Sequence, residues 1–317
     1  MKELSIYKNL DQDNIDLEHL GDLKELCLIN QKEKKFIKLP KSLIRLNLNN
    51  NLKQYKTNYL VNLKILEMIN NNIKELNITN PKLEYLNASE NSIKDVKHLP
   101  ESLIELKLST NQITKIELPK NLLMINLTSN YLKSIPQMPK TIQTINLSYN
   151  LINKIENLEQ LNVSNLNLSS NEIKKIENIR NTNLRVLNIT QNEINEINNL
   201  PESLDTLLCS ANKIKKLILN KNLKNIFCCD NQLVNLDLRG TNLHICNFNN
   251  NPIVQIRVNK QMKNFQFNNS KQTLKYILPI KNVFDITWNK NILLNSASLI
   301  ITGFFIKIVY KIKKNKK

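Results

Sequence analysis

The stretch LIELKLSTNQITKIELPKNLLMINLTSNYLKSIPQMPKTIQTINLSYN, residues 103–150, repeats one arrangement of apolar residues and asparagine three times. The shared pattern is LxxLxLxxN, in which Ile also stands at the apolar positions. Its three copies are Leu103-Leu106-Leu108-Asn111, Leu122-Ile125-Leu127-Asn130 and Ile142-Ile145-Leu147-Asn150. The apolar–x–apolar triplet alternates with period two, which is typical of a short β-strand with one buried face. Each copy therefore predicts one strand followed by a turn.

The same pattern extends in both directions at intervals of 19 to 22 residues, giving fifteen copies in register. The first copy is Met1-Leu4-Ile6-Asn9, and the last, more degenerate, is Val283-Ile286-Trp288-Asn291. No single copy is long enough to bury its own apolar face, so neighbouring copies must stack into one continuous core. The sequence thus predicts a β-rich solenoid over residues 1–291, curved or superhelical, with a parallel sheet on its concave side.

Three further features of the repeat predict how the chain returns from one strand to the next. A second apolar pair follows the asparagine two and five residues on, as in Ile113 and Ile116 or Ile214 and Leu217, and should line the opposite wall of the core. Proline turns such as LPESL at 99–103 disfavour a helix there, so we expect a convex side of extended segments and turns. The asparagine amide has two donors and one acceptor, which suits it to bridging backbone groups at the turn.

The unit LPxSLxxLxLxxNxIxxI resembles the short leucine-rich repeats of secreted bacterial effector proteins. Residues 150–179, NLINKIENLEQLNVSNLNLSSNEIKKIENI, are more similar to the leucine-rich repeats of intracellular phosphatase regulators. The Asn-, Lys- and Ile-rich composition also resembles the leucine-rich-repeat gene family of insect poxviruses and similar A+T-rich DNA viruses. This resemblance implies a curved or superhelical solenoid with a ligand-binding concave sheet and leaves the identity of the ligand open.

Charge and composition narrow the classes of partner. The formal net charge of +18 attracts polyanions, but only five of the 45 basic residues are Arg, the side chain that most often reads bases and clasps phosphates. No basic helix or aromatic stacking platform is visible, so specific nucleic-acid binding is disfavoured. The convex lysines, among them Lys174 and Lys175, fit a solvated face.

The sequence offers no catalytic or metal-binding motif. The three His, at positions 19, 98 and 244, are isolated, and the five Cys form no CxxC pair. There is no Gly-rich phosphate loop or nucleophile motif. We therefore expect no cofactor, no metal and no enzymatic activity, and we expect free thiols in a reducing, cytoplasmic compartment, that of the host if the protein is viral.

One candidate binding site stands out among the outward strand positions. The position between the two inward apolar residues is usually Asn, as in Asn126 and Asn146, and stacked asparagines can hydrogen-bond to one another. Leu208 and Phe227 interrupt this column in consecutive repeats. The predicted partner-binding residues are Val186, Leu208, Phe227, Cys229 and Ile245. An outward apolar cluster is typical of a protein-binding hot spot; loss of polarity by drift, or coverage by the C-terminal segment, are the alternatives.

Residues 292–317 form a separate C-terminal segment that is first hydrophobic and then basic. Residues 292–310, ILLNSASLIITGFFIKIVY, have about the length of a membrane span, and KIKKNKK follows them. The same residues continue the repeat register as a degenerate sixteenth copy, as expected of a terminal cap. Two functions follow: a non-enzymatic protein-interaction module, such as a viral or parasite host-interaction factor, or a membrane-tethered adaptor.

Overall fold

A computed structural model describes residues 2–7, 14–30, 36–49, 56–159, 161–180, 182–258 and 275–277. Within these ranges the chain consists of short β-strands and turns, without a helix. The contacts group into two units, Met1–Ile152 with Gln160–Val163, and Asn153–Glu159 with Ser164–Lys317. Each unit contains main strands at the LxL triplets and return strands on the way back to the next triplet.

The first unit contains eight main strands, hydrogen-bonded in parallel to their neighbours in chain order. They are β1 (Glu3–Ile6), β3 (Glu25–Leu28), β5 (Arg45–Asn47), β6 (Ile65–Glu67), β8 (Tyr85–Asn87), β10 (Glu105–Lys107), β11 (Met124–Asn126) and β12 (Thr144–Asn146). Their register joins equivalent positions of successive repeats, as in Leu106 opposite Ile125 and Ile125 opposite Ile145.

The second unit contains five main strands in the same parallel arrangement. They are β13 (Asn165–Asn167), β14 (Val186–Asn188), β16 (Thr206–Leu208), β18 (Asn225–Phe227) and β20 (Ile245–Asn247). All thirteen main strands lie at LxL triplets that the sequence pattern predicts, so the expected parallel sheet is confirmed.

The return strands form small parallel sheets of their own, and this confirms the extended return side. In the first unit β2 (Asn14–Asp16) pairs with β4 (Phe36–Lys38), and β7 (Glu75–Asn77) pairs with β9 (Asp95–His98). In the second unit β15 (Glu196–Ile197) pairs with β17 (Lys216–Leu217), and β19 (Asn235–Asp237), β21 (Gln255–Arg257) and β22 (Lys275–Ile277) form a three-stranded sheet. Before several main strands a proline begins the turn, and Pro100 O accepts the N–H of Leu103 at 3.1 Å.

The core lies between the main and return strands and is filled by the inward Leu and Ile of each repeat. Leu106, for example, is fully buried. The prediction that a second apolar pair lines the opposite wall of the core is confirmed for the position two residues after the asparagine, where Ile113 and Ile214 are buried. Five residues after it the prediction is only partly right, because Ile116 and Leu217 are half-buried.

The asparagines that end the LxxLxLxxN copies, here called the ladder asparagines, form hydrogen bonds that connect each repeat to the next. Asn130 Nδ2 donates to the carbonyls of Leu108, Leu127 and Thr128, at 2.9, 3.1 and 3.3 Å. The same bonding recurs at Asn91, Asn111, Asn150, Asn192, Asn212, Asn231 and Asn251. The predicted structural role of these side chains is confirmed.

The residue before each ladder asparagine adopts a left-handed backbone conformation. These residues include Thr110 at a φ of 55° and Tyr149 at a φ of 55°. Side chains with a Cβ rarely adopt this region, and Gly or Asn is the usual choice. Asn fills the position at Asn70 and Asn250, and also at Asn30, which precedes Gln31; residues of many types, from Ala211 to Tyr149, fill it elsewhere.

The predicted fourteenth and fifteenth LxL triplets, around residues 265 and 286, and the segment 292–317 lie outside the described residues. The boundaries at 291 and 292 therefore remain predictions, as do the terminal cap and the membrane anchor. In the described part of the chain, no helix is long and apolar enough to cross a membrane.

Candidate functional site

The two central residues of the predicted site lie side by side on the outward surface of the main strands, here called the strand face. Leu208 on β16 pairs in register with Phe227 on β18. Both side chains are half-buried, whereas Leu207 and Ile226, which precede them, point into the core. Because neighbouring strands are about 4.8 Å apart, the two side chains present one continuous apolar surface.

Val186 and Ile245 flank this pair but do not meet each other. They occupy one outward column, in which Thr206 and Asn225 stand between them. Asn225 Nδ2 donates to Thr206 Oγ1 at 3.1 Å, so a polar pair fills the gap. Val186 lies on the strand beside Leu208, and Ile245 lies on the strand beside Phe227, each two residues before the position that pairs with its neighbour. The diagonal distance is about 8 Å in both cases. Ile245 is 50% exposed, which makes it the most accessible apolar side chain of the site.

Cys229 lies two residues beyond Phe227, on the other side of the central pair. Its backbone N–H donates to Ser210 Oγ at 3.0 Å, and its Sγ donates to Asn247 O at 3.8 Å. Burial raises the pKa of the Cys229 thiol, so the neutral form prevails at neutral pH. The residue serves the surface as a small, weakly polar group rather than as an activated nucleophile.

Charged side chains border the site before the strands begin. Asp205 lies between two cations: Lys224 Nζ is 3.0 Å from Oδ1, and Arg185 Nη1 is 4.0 Å from Oδ2. The Arg185 side chain is 72% exposed. One carboxylate shared between two cations leaves this border with a surplus of positive charge.

The sequence prediction did not include the polar residues at the two ends of the apolar pair. Asn188 precedes Leu208 in the column and Asn247 follows Phe227. Asn188 Oδ1 accepts the N–H of Thr190 at 3.0 Å, and Asn247 Oδ1 accepts the N–H of Asn249 at 3.1 Å. This corrects the expectation that the outward asparagines hydrogen-bond to one another: each binds its own backbone two residues on.

This bond fixes the direction of each carboxamide. A backbone N–H needs an acceptor, so the oxygen must face the backbone and Nδ2 must face outward. Neither Nδ2 donates a hydrogen bond to a described residue, and neither is a buried atom that lacks a hydrogen-bond partner. Asn167, the next member of the column, has the same geometry, with Oδ1 accepting the Ser169 N–H at 3.0 Å. In the second unit the outward column is thus a row of available donors at Asn167, Asn188 and Asn247, interrupted by Leu208 and Phe227.

A second exposed apolar group, also absent from the sequence prediction, lies on the first unit. Ile104, immediately before β10, and Met124, the first residue of β11, are 42% and 43% exposed. They stand at outward positions where the repeat tolerates any residue, so the pattern gave no signal for them. Glu105 and Lys107, which form an ion pair at 2.8 Å, interrupt this group.

The described residues contain no cluster of three or more His, Cys, Asp or Glu that could hold a metal ion. All five cysteines are free. Cys209 is buried, and burial, reinforced by the neighbouring Cys228 thiol, raises its pKa well above the ordinary value. These buried thiols act as core residues.

No family model and no curated protein sequence matches the chain. Solved structures do. The functional domain of InlJ from Listeria monocytogenes, described as including a cysteine ladder, matches with a TM-score of 0.61 and 21% identity. The match covers 83% of this chain and 65% of the InlJ chain, so the chain spans just under two thirds of that protein's length.

YopM from Yersinia enterocolitica matches at a TM-score of 0.60 and 22% identity, over 90% of this chain and 81% of YopM. The APL1 leucine-rich repeat domain matches at 0.67 and 20%, over 87% of this chain and 81% of that domain. The chain has the leucine-rich-repeat fold. At these identities the similarity shows the fold alone.

Proposed function

We propose that this leucine-rich-repeat chain is a non-enzymatic protein-binding module whose contact surface is the strand face of its second unit. The observation that carries the proposal is the register pairing of Leu208 with Phe227 at an outward position that Asn holds on the other main strands of the second unit. Large apolar side chains surrounded by polar groups are the composition of a binding hot spot. Ile245 and Val186 extend the apolar area at its two ends.

Solved complexes with this fold support the proposal by analogy. Toll of Drosophila, which is seen in complex with Spatzle, matches at a TM-score of 0.62 and 15% identity. TLR13, which is seen in complex with a single-stranded RNA, matches at 0.55 and 17%. A protein partner suits the apolar centre of this site better than RNA does, because no exposed aromatic row or arginine cluster lies beside it in the described residues.

The same proposal includes a cytoplasmic location and a host protein as the partner. Free cysteines at all five positions support a reducing, cytoplasmic compartment. The resemblance of the composition to A+T-rich viral repeat proteins supports a host protein as the partner.

The experiment is a selection of displayed random peptides on the full-length protein, followed by measurement of the selected peptides on variants. Leu208→Asn with Phe227→Asn restores the asparagine column. This double variant should bind the selected peptides at least about thirtyfold more weakly, since loss of a hot-spot residue costs about 2 kcal/mol or more. Its melting temperature should stay near that of the wild type.

The matched control is Val234→Asn with Val254→Asn. These valines are 44% and 42% exposed, and the Val254 N–H donates to Val234 O at 2.9 Å on the return side of the same unit. The control should leave peptide affinity unchanged. If the control loses affinity and the strand-face variant keeps it, the contact surface is on the return side. If only Ile104→Asn with Met124→Asn weakens binding, the surface belongs to the first unit.

A further inference from the structure

The outward asparagine column gives the proposed binding surface a hydrogen-bonding polarity. At Asn188 and Asn247 the acceptor oxygen is occupied by the backbone, and the Nδ2 group faces outward as a donor. A partner with matching acceptors gains hydrogen bonds from side chains that are already oriented. A partner with donors at these points leaves them facing other donors. Carboxylates are the strongest acceptors that a protein partner can offer.

The spacing of the two donors defines the length of the segment that can reach both. Asn188 and Asn247 lie on β14 and β20, with β16 and β18 between them. Three intervals of about 4.8 Å give about 14 Å. An extended peptide rises about 3.3 Å per residue, so side chains four residues apart are about 13 Å apart. Side chains at i, i+2 and i+4 also project to the same face.

The centre of such a segment falls on the apolar pair. If residues i and i+4 meet Asn188 and Asn247, residue i+2 lies between Leu208 and Phe227. An apolar side chain there buries itself against both. The pattern that fits the column is therefore acidic–x–apolar–x–acidic, in an extended conformation that crosses the strands.

The positive charge of the second unit also favours an acidic segment as the partner. The positive border formed by Arg185 and Lys224 around Asp205 lies beside the column. Residues 164–258 hold eleven Lys and Arg against eight Asp and Glu, a formal net charge of +3, and the whole chain carries +18. This field raises the rate of encounter with an acidic segment.

We propose that the strand face of the second unit binds an extended acidic protein segment in which one apolar residue stands between two carboxylates, each two residues away. This inference rests on the proposed function and specifies its partner.

The test uses the full-length protein and three short fluorescent peptides containing Glu-Ser-Phe-Ser-Glu, Gln-Ser-Phe-Ser-Gln or Lys-Ser-Phe-Ser-Lys. Fluorescence anisotropy should rank their affinities in the order Glu, Gln, Lys. Moving the two Glu next to the Phe should weaken binding more than about tenfold, because both Glu side chains then project from the opposite face and both donors lose their acceptors. Equal affinity for the two spacings would overturn the proposed geometry.

The decisive variant is Asn188→Asp with Asn247→Asp. Asp keeps an oxygen for the Thr190 and Asn249 N–H groups and replaces only the outward donor. Affinity for the Glu peptide should fall more than about tenfold, while affinity for the Lys peptide should rise, which a misfolded protein would not show. Asn195→Asp with Asn235→Asp adds the same charge on exposed return-side positions and should have little effect.

The outcomes separate this inference from the proposed function. If Leu208→Asn with Phe227→Asn abolishes Glu-peptide binding but the Asp double variant binds it normally, the surface stands and the acidic partner is wrong. If neither variant changes binding, both are wrong. Preferential binding of a single-stranded RNA oligonucleotide, competed away by the Glu peptide, would also overturn the acidic protein segment.

Discussion

Asn130 Oδ1 accepts the backbone N–H of Ile113, 3.0 Å away in the preceding repeat, while Asn130 Nδ2 donates to three carbonyls. One buried carboxamide thus completes the bonding of four backbone groups. Only an amide can do this, because a carboxylate lacks the donors and a hydroxyl has one hydrogen.

The first prediction compares one substitution at two asparagines of the same repeat. Asn130→Asp places a buried carboxylate against three carbonyls and should lower the free energy of unfolding by about 3 kcal/mol or more. Asn126→Asp should change it by less than about 0.5 kcal/mol, because Asn126 faces outward and its Oδ1 accepts the Thr128 N–H at 3.0 Å. Urea unfolding followed by circular dichroism measures both. Equal losses would contradict the separation of ladder and outward asparagines.

A second prediction concerns the core. Leu106 is fully buried, so Leu106→Asp should cost several kcal/mol through an unpaired buried charge. Lys175 is exposed on the return side, and Lys175→Asp should stay within about 0.5 kcal/mol. Thermal unfolding of the two variants would show an incorrect inward register if they melted alike.

The left-handed residue before each ladder asparagine is a site for stabilisation. Thr110 has a φ of 55° and a β-branched side chain. Thr110→Asn, the residue used at Asn30 and Asn70, should raise the free energy of unfolding by about 1 kcal/mol. Thr114→Asn, at a nearby exposed position, serves as the control and should have almost no effect. A stability gain at Thr114 alone would rule out backbone strain as the cause.

Stability should depend on acid through Asp237. The hydrogen bond from the Arg239 guanidinium lowers the pKa of the Asp237 carboxyl below its ordinary value of 3.8, and Arg257 Nη1 lies 3.7 Å from Oδ2. A lowered folded-state pKa adds stability above pH 3.8 that disappears as the pH falls through the folded-state value.

Asp237→Asn should therefore lose less than about 1 kcal/mol from pH 5 to 7, a small effect because the pair is partly exposed. Its deficit relative to the wild type should shrink below about pH 4. Denaturant midpoints at several pH values would test this. A deficit that grows in acid would reverse the sign assigned to the carboxylate.

Native thiol labelling should follow burial. Cys27 and Cys229 are half-buried, whereas Cys209, Cys228 and Cys246 are buried. Iodoacetamide should modify the first two and spare the other three, as read by mass spectrometry. The reaction at Cys27 and Cys229 should accelerate as the pH rises, because burial raises the pKa of both thiols. Fast labelling of Cys209 in the folded protein would show that the core opens.

The sequence was sufficient to predict the strands, because core burial leaves a visible mark at Leu106, Ile125 and every equivalent position. It was sufficient to predict the ladder asparagines for the same reason. The direction of the carboxamide at Asn188 could not be predicted, since it depends on a bond to the Thr190 N–H that no residue pattern records. The left-handed backbone conformation at Thr110 could not be predicted either, because residues of many types occupy that position of the repeat. Whether Val186, Leu208, Phe227, Cys229 and Ile245 bind a partner stays a prediction.

The ladder also has a direction. The side-chain oxygen of a ladder asparagine accepts a backbone N–H of the repeat before it. Asn111 accepts that of Ile93 and Asn150 accepts that of Leu132, at 3.0 Å in both cases. Removing a repeat from the C-terminal side of a stack therefore strips backbone groups in its predecessor of their partners. Removal from the N-terminal side also strips backbone groups, such as the Leu123 N–H that donates to Ile104 O at 2.9 Å, but the ladder there loses only partners of an Asn side chain. Hydrogen exchange at amides such as Ile113 should consequently report the opening of the repeat that follows.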